Sequence, residues 1–262
     1  MKYYVVADVH GFYTETVAAL EAAGFFAETE PCKLIVCGDM LDRGKEAVKM
    51  VEFMLDLQNQ GKLIYICGNH EDLFVDCLQE ISRGDIYDIA CGMSHHYTNG
   101  TWDSILQLGG MPPNEAVRRP HALVATVMQS DFYRKLLRNA VDYFETDHYV
   151  FVHGWLPCKV TGFRPLYEYS YDPDWREAEY ESRRRSRWLN GMEMACKHNI
   201  LEPDKTVVCG HFHTSYGHAV LRKRCTEFGE DADFSPFCGK GIIAIDACTA
   251  FSHKVNCIVI ED

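Results

Sequence analysis

Nothing in the sequence constrains the fold more than a repeated ending. Five apolar runs stop abruptly at Asp, Asn or His: Lys2–Ala7 before Asp8-Val9-His10-Gly11, Lys33–Cys37 before Gly38-Asp39, Lys62–Cys67 before Gly68-Asn69-His70-Glu71, Tyr149–Val152 before His153-Gly154, and Lys205–Cys209 before Gly210-His211-Phe212-His213. Short runs of apolar, β-branched and aromatic residues read as strands buried on both faces. The first three alternate with helical patterns at Glu15–Phe25, at Lys45–Gln60 and from the third tip to about Ser82. Such a succession of strand–helix units predicts a parallel sheet with right-handed crossovers. In α/β sheets ligands gather at the carboxyl ends of strands, so tips far apart in sequence converge in space. The polar tips are therefore read together, as one site.

Their chemistry is consistent with that reading. Imidazole nitrogen combined with carboxylate and amide oxygen suits Mn, Fe, Zn or Co, and the absence of thiolates argues against a structural zinc site. Two cations about 3.5–4 Å apart need a shared anionic bridge, and Asp39 stands in the middle of the set. Asp8, His10, Asp39 and His213 are assigned to one ion, and Asp39, Asn69, His153 and His211 to the other. In the stretch Gly38-Asp39-Met40-Leu41-Asp42-Arg43-Gly44, a second carboxylate and a guanidinium fork suited to a phosphoryl group follow the bridge. The chain carries 26 Lys and Arg against 38 Asp and Glu, a net charge of −12, which argues against a general nucleic-acid binder. It does not exclude an anionic substrate, because bound divalent cations invert the local field.

Elsewhere the pattern changes. From Gly84 to about Asp147 no ligand-tipped strand occurs, Asn99-Gly100, Gly109-Gly110 and Pro112-Pro113 break the segment, and a helical cap or a flanking helical layer is expected, His95 and His96 being surface residues of it. Pro165–Pro173 reads as a loop whose Tyr167, Tyr169 and Tyr171 either stack on substrate or pack the loop, Asp174–His198 as one long charged helix, and Gly241–Asp246 and Lys254–Ile260 as two adjacent strands closing the sheet system. Glu71 needs only its first-turn position on a helix to be explained. The 12 cysteines include no C-x-x-C pair, and several lie inside apolar runs, so a reduced, cytoplasmic setting is expected. No signal-peptide pattern occurs and no apolar run approaches the roughly 18 residues of a membrane helix, so no membrane partner is expected. Oligomeric state is left open.

The five tips in this order, with the Leu-Asp-Arg-Gly ending of the second and the Asn-His-Glu block of the third, resemble the signature of the calcineurin-like metallophosphoesterases, most closely their phosphoprotein phosphatase branch. That branch includes bacterial serine/threonine phosphatases and symmetrical diadenosine tetraphosphate hydrolases. Ala7 stands where the family usually has Gly. The resemblance implies an α/β fold, a β-sandwich of two mixed sheets flanked by helices, in one domain over residues 1–262 with a helical insertion at about 84–147. It further implies two divalent ions, manganese first and Fe, Zn or Co as alternatives, and an attacking hydroxide between them. In that reading Arg43 holds the phosphoryl oxygens, His70 protonates the leaving alkoxide, and Asp42 orients His70. Arg187, in the run Arg183–Arg187 before Trp188, is the candidate second fork on the substrate, the rest of that run being a solvated helix face. The expected reaction is hydrolysis of phosphoserine, phosphothreonine or a small phosphate ester. The alternatives are a dinucleoside polyphosphate hydrolase and a metal-bearing binding protein without turnover.

Overall fold

The alternation inside each apolar run decides the architecture. A computed structural model describes residues 1–163 and 166–262. In β1 (Lys2–Val6), Tyr4 and Val6 face a core shared with helices, while Tyr3 and Val5 face a second core. In β2 (Cys32–Cys37), Leu34 and Val36 take the first side and Ile35 and Cys37 the other. With β3 (Leu63–Ile66) these strands form a parallel sheet, as the strand–helix succession predicts, and β11 (Ile258–Glu261) adds antiparallel to β1. A second sheet has the order β4 (Phe144–Glu145), β5 (Tyr149–Phe151), β8 (Thr206–Cys209), β10 (Ile242–Ala244), β9 (Phe237–Gly239), parallel at its centre and antiparallel at its edges. The two sheets pack face to face through Val5, Ile35, Ile66, Phe151, Val208 and Ile260. Each fully buried side chain of this size contributes about 2 kcal/mol. Because both faces of β1 are apolar, a one-residue slip would keep apolar side chains in both cores but mismatch their shapes and carry Asp8 out of line with the other strand tips. The result is a β-sandwich of two mixed sheets flanked by helices.

Helices α1 (Tyr13–Ala22), α2 (Ala47–Asn59) and α3 (Asn69–Arg83) cover the outer face of the first sheet. The segment expected as a cap or flank forms α4 (Ile86–Ala90), α5 (His95–Thr98), α6 (Thr101–Gly109), α7 (Pro113–Arg118) and α8 (Pro120–Gln129), followed by a π-turn at Phe132–Leu136. Its Ile86, Trp102, Ile105, Leu123, Val127 and Phe132 share the core of α2 and α3, so it packs as a flanking layer. His96 is buried there, against the expectation of a surface residue, and lies 3.3 Å from Glu80 of α3.

Three further expectations are corrected. The long helix over Asp174–His198 is broken into a 3₁₀ turn at Trp175–Glu177, α9 (Tyr180–Ser186) and α10 (Gly191–Cys196), because the Asn190 side chain accepts from Met192 N and Glu193 N and starts a new helix. The Tyr-rich loop is the hairpin of β6 (Cys158–Phe163) and β7 (Leu166–Tyr171), its first residue, Pro165, lying outside the described residues. The two C-terminal runs are not adjacent: β10 joins the second sheet and β11 the first. Apolar periodicity identifies a strand but carries no information on which sheet it enters. Among the described residues, no helix is long and apolar enough to cross a membrane.

Candidate metal centre

At one edge of the sandwich the chain leaves β1, β2, β3, β5, β8 and β10 and delivers, within a few residues, Asp8 and His10, Asp39, Asn69, His153, His211 and Asp246. To turn there, non-glycine residues enter the left-handed region: Asp8 at φ 53°, His10 at 46°, Asp39 at 53°, Asp42 at 76°, Arg43 at 62° and His211 at 66°. This conformation costs on the order of 1–2 kcal/mol per residue, and strain of this kind clusters at functional sites. Backbone bonds between the tips hold it: His10 N donates to Asp39 O at 2.9 Å, Gly11 N to Met40 O at 2.7 Å and Gly44 N to His10 O at 2.8 Å. Gly38, at φ 80°, has no room for a side chain, since a Cβ would overlap the His153 ring and lie 2.8 Å from Gly68 Cα.

Side-chain orientation follows from the other ring nitrogen. His153 Nδ1 lies 2.8 Å from Cys37 O and His10 Nδ1 lies 2.9 Å from Leu41 O. A carbonyl only accepts, so each Nδ1 donates and each neutral ring presents a lone pair at Nε2. Burial favours that neutral form, pushing His10 and His153 below the ordinary value and, reinforced by His153, His211 down to about 3. His153 Nε2 then meets Asn69 Oδ1 at 2.7 Å and Asp39 Oδ1 at 3.4 Å. These three electron-pair donors converge with no proton between them, an arrangement that calls for a cation.

Asp39 lies between two such sets. Its carboxylate groups with His10 and His70 on one side and with His153 and His211 on the other, ligand atoms within 4.8 Å of one another. Asp8, 1% exposed, accepts from His211 N at 2.9 Å. Burial and the charges of Asp246 and Asp39 push its carboxyl well above the usual range, and burial raises Asp246 to about 6. Crowded buried carboxylates facing neutral imidazoles are what divalent ions would neutralise, so the donor set fits two of them.

Beside these donors lies a second chain of contacts. Asp42 Oδ2 accepts from His70 Nδ1 at 2.7 Å and from Thr101 Oγ1 at 2.7 Å, while Asp42 N donates to Ser104 Oγ at 2.9 Å. Burial works against the charged imidazole of His70, but Asp39 and Asp42 outweigh it and raise the ring above its ordinary value. Arg43 is exposed, and its Nη2 lies 3.2 Å from His70 Nε2.

The sequence profile of the calcineurin-like phosphoesterases matches residues 1–235. The chain belongs to the calcineurin-like phosphoesterase family. Among curated relatives, an asymmetrical bis(5'-nucleosyl)-tetraphosphatase of Bacillus velezensis is 30% identical over 76 residues, 27% of this chain and 30% of the relative. A symmetrical bis(5'-nucleosyl)-tetraphosphatase of a Marinomonas strain is 28% identical over 162 residues, 55% of each chain. The matches thus span about a third to a half of these relatives' length. In fold, a protein serine/threonine phosphatase of Saccharomyces cerevisiae aligns with a TM-score of 0.50 over 100% of this chain and 80% of its own, at 11% identity. A cold-active protein-tyrosine phosphatase of a psychrophilic Shewanella aligns with a TM-score of 0.50 over 100% and 75%, at 16% identity.

Two residues of this calcineurin-like phosphoesterase chain make contacts that the sequence pattern does not foretell. His213, like Asp8, falls outside the two compact donor groups; its Nε2 lies 2.6 Å from Glu227 Oε1, its ring stacks on Phe212 at 4.9 Å, and it lies near enough to Asp246 to favour that carboxylate's charge. Arg187, expected as a second fork, is 7% exposed with Nη1 on Asp72 at 2.5 Å and Nη2 on Asp142 at 2.6 Å, so both arms are taken by carboxylates. Asp246 ends an apolar run as the five tips do, so the signal was present. Thr101 and Ser104 hold Asp42 from some sixty residues away and leave no mark in one dimension.

Glu71 does more than occupy a first helical turn. It is 2% exposed, Oε2 accepts from Gly68 N at 2.6 Å and Asp39 N at 3.0 Å, and Oε1 accepts from Met40 N at 3.0 Å. Burial and the nearby Asp39 raise it to about 7. Glu71→Leu leaves three buried N–H groups without acceptors and should lower stability by about 3 kcal/mol or more. Urea denaturation measures this; a loss under about 1 kcal/mol would show that the Asp39 loop does not depend on this carboxylate.

Proposed function

We propose that this chain hydrolyses phosphate esters with two divalent cations held by Asp8, His10, Asp39, Asn69, His153 and His211. The observation that carries the reading is the position of Asp39, flanked on each side by a pair of imidazoles. The ions, when bound, would neutralise phosphoryl charge and make a water acidic enough to attack near neutral pH, and manganese is the first candidate for them. Arg43, exposed at the rim, meets the phosphoryl oxygens with a planar fork. Asp42 fixes His70 Nδ1 as a donor, so the ring turns Nε2 toward the leaving oxygen and holds a proton there. Once that proton has gone, Arg43 Nη2, 3.2 Å away, donates to the bare nitrogen and stabilises the neutral ring.

Phosphoserine, phosphothreonine or small phosphate esters are one substrate class. A second reading, dinucleoside polyphosphates, draws support from the relatives named as bis(5'-nucleosyl)-tetraphosphatases. A hydrolysis panel of p-nitrophenyl phosphate, a phosphopeptide and diadenosine tetraphosphate, with manganese and with chelator, tests both. Turnover of at least one compound should fall about a hundredfold or more on chelation and return with metal. Absence of metal-dependent turnover on all three would favour a metal-bearing binding protein.

A further inference from the structure

Of the chain's four tryptophans, Trp102, Trp155 and Trp175 are at most 2% exposed, whereas Trp188 is 50% exposed. Its ring stands edge-on to His211, with centroids 5.9 Å apart at 81°, so the indole adjoins one of the donor groups around Asp39. Beside it lies a shallow, solvent-open groove lined by Glu181, Arg184, Arg185 and Trp188. Arg184 is engaged by Asp72 and Asp76. Arg185 is exposed and has no carboxylate partner among the described residues. This guanidinium and the half-exposed indole share one lining, with Glu181 as its carboxylate, beside the donor group that holds His211.

We propose that this groove is a nucleotide subsite: a nucleobase stacks on Trp188, the adjoining phosphate meets Arg185, and the remaining phosphates extend toward Asp39 and Arg43. A flat indole gains most from a planar π partner, and a guanidinium from a phosphate. A nucleoside polyphosphate supplies both groups together at fixed spacing, whereas the phosphoserine residue itself offers no ring. The other half-exposed aromatics near the site are less available: Phe228 packs on His213 and Phe251, and Phe251 also packs on Phe234. The assignment rests on the reading of the centre as a phosphoester site and names the substrate that this rim selects.

The test titrates ADP into the manganese-loaded protein, with inorganic tetrapolyphosphate as a base-free probe, and follows tryptophan fluorescence and calorimetric affinity. Since only Trp188 is exposed, ADP should quench fluorescence saturably and tetrapolyphosphate should not. Trp188→Leu should abolish the quench and weaken ADP binding roughly tenfold, the worth of one stacked base, while leaving tetrapolyphosphate binding within about twofold. Trp188→Phe should keep most of the affinity without the quench. Arg185→Ala should weaken both probes. ADP binding unchanged in Trp188→Leu, or both probes weakened equally by it, overturns the subsite. Failure of the phosphoester reading would look different, as absence of metal-dependent hydrolysis across the panel irrespective of Trp188.

Discussion

Asp39→Asn should reduce turnover by on the order of a thousandfold or more while leaving the protein folded. Asparagine keeps the shape of the side chain and its Oδ1, which accepts from His70 N at 3.0 Å. It removes the one charge shared by the two donor groups and points an amide N–H at lone pairs of the surrounding imidazoles. The cost should exceed the 10–100-fold typical of groups that merely orient a metal ligand. Metal analysis should fall from two ions per chain to one or none. The metal-free variant should be less stable than the wild type in urea, because burial opposes the Asp39 charge but the surrounding His153, His70, His10 and His211 outweigh it and hold the carboxyl below its ordinary value, so that the charge favours the fold. Two retained ions with turnover near wild type would dismiss Asp39 as the bridge.

The second large effect is selective. His70→Asn should depress turnover of an alkyl phosphate by about 10²–10⁴-fold, the range for loss of a general acid, and leave p-nitrophenyl phosphate within about tenfold. A nitrophenolate departs without a proton, whereas an alkoxide needs one, so the ratio of the two rates isolates proton donation from everything else His70 does. That separation is necessary here because His70 also lies in the donor group of His10 and Asp39. Equal loss on both substrates, accompanied by loss of an ion, would assign His70 to metal holding and remove it as the acid.

Much of this centre was legible in one dimension, and the reason is physical. A buried strand must be apolar along its length and can carry polarity only where it ends, so a ligand at a strand tip interrupts the pattern visibly. Asp8, His10, Asp39, Asn69, His153 and His211 all announce themselves in this way. Contacts made across the layers do not. Thr101 and Ser104 look like ordinary helix residues until α6 is laid against Asp42. Of one basic run, Arg187 is the member the sequence favours as a substrate fork, yet helix phase buries it between Asp72 and Asp142 and leaves Arg185 in solvent. The sheet membership of β10 and β11 was hidden for the same reason, since it depends on the path of residues 245–257 and not on the apolar character of either strand.

The distribution of the donors has a mechanical meaning. Asp8, His10, Asp39 and Asn69 belong to the first sheet's edge, His153 and His211 to the second's, and the two are joined there by Asn69 with His153 and by His211 with Asp8. The cluster is therefore a clasp across the open end of the sandwich, and it exists only after both layers have closed. Ions taken up there would bind the native chain and not its half-assembled forms, drawing the folding equilibrium toward closure in proportion to their concentration.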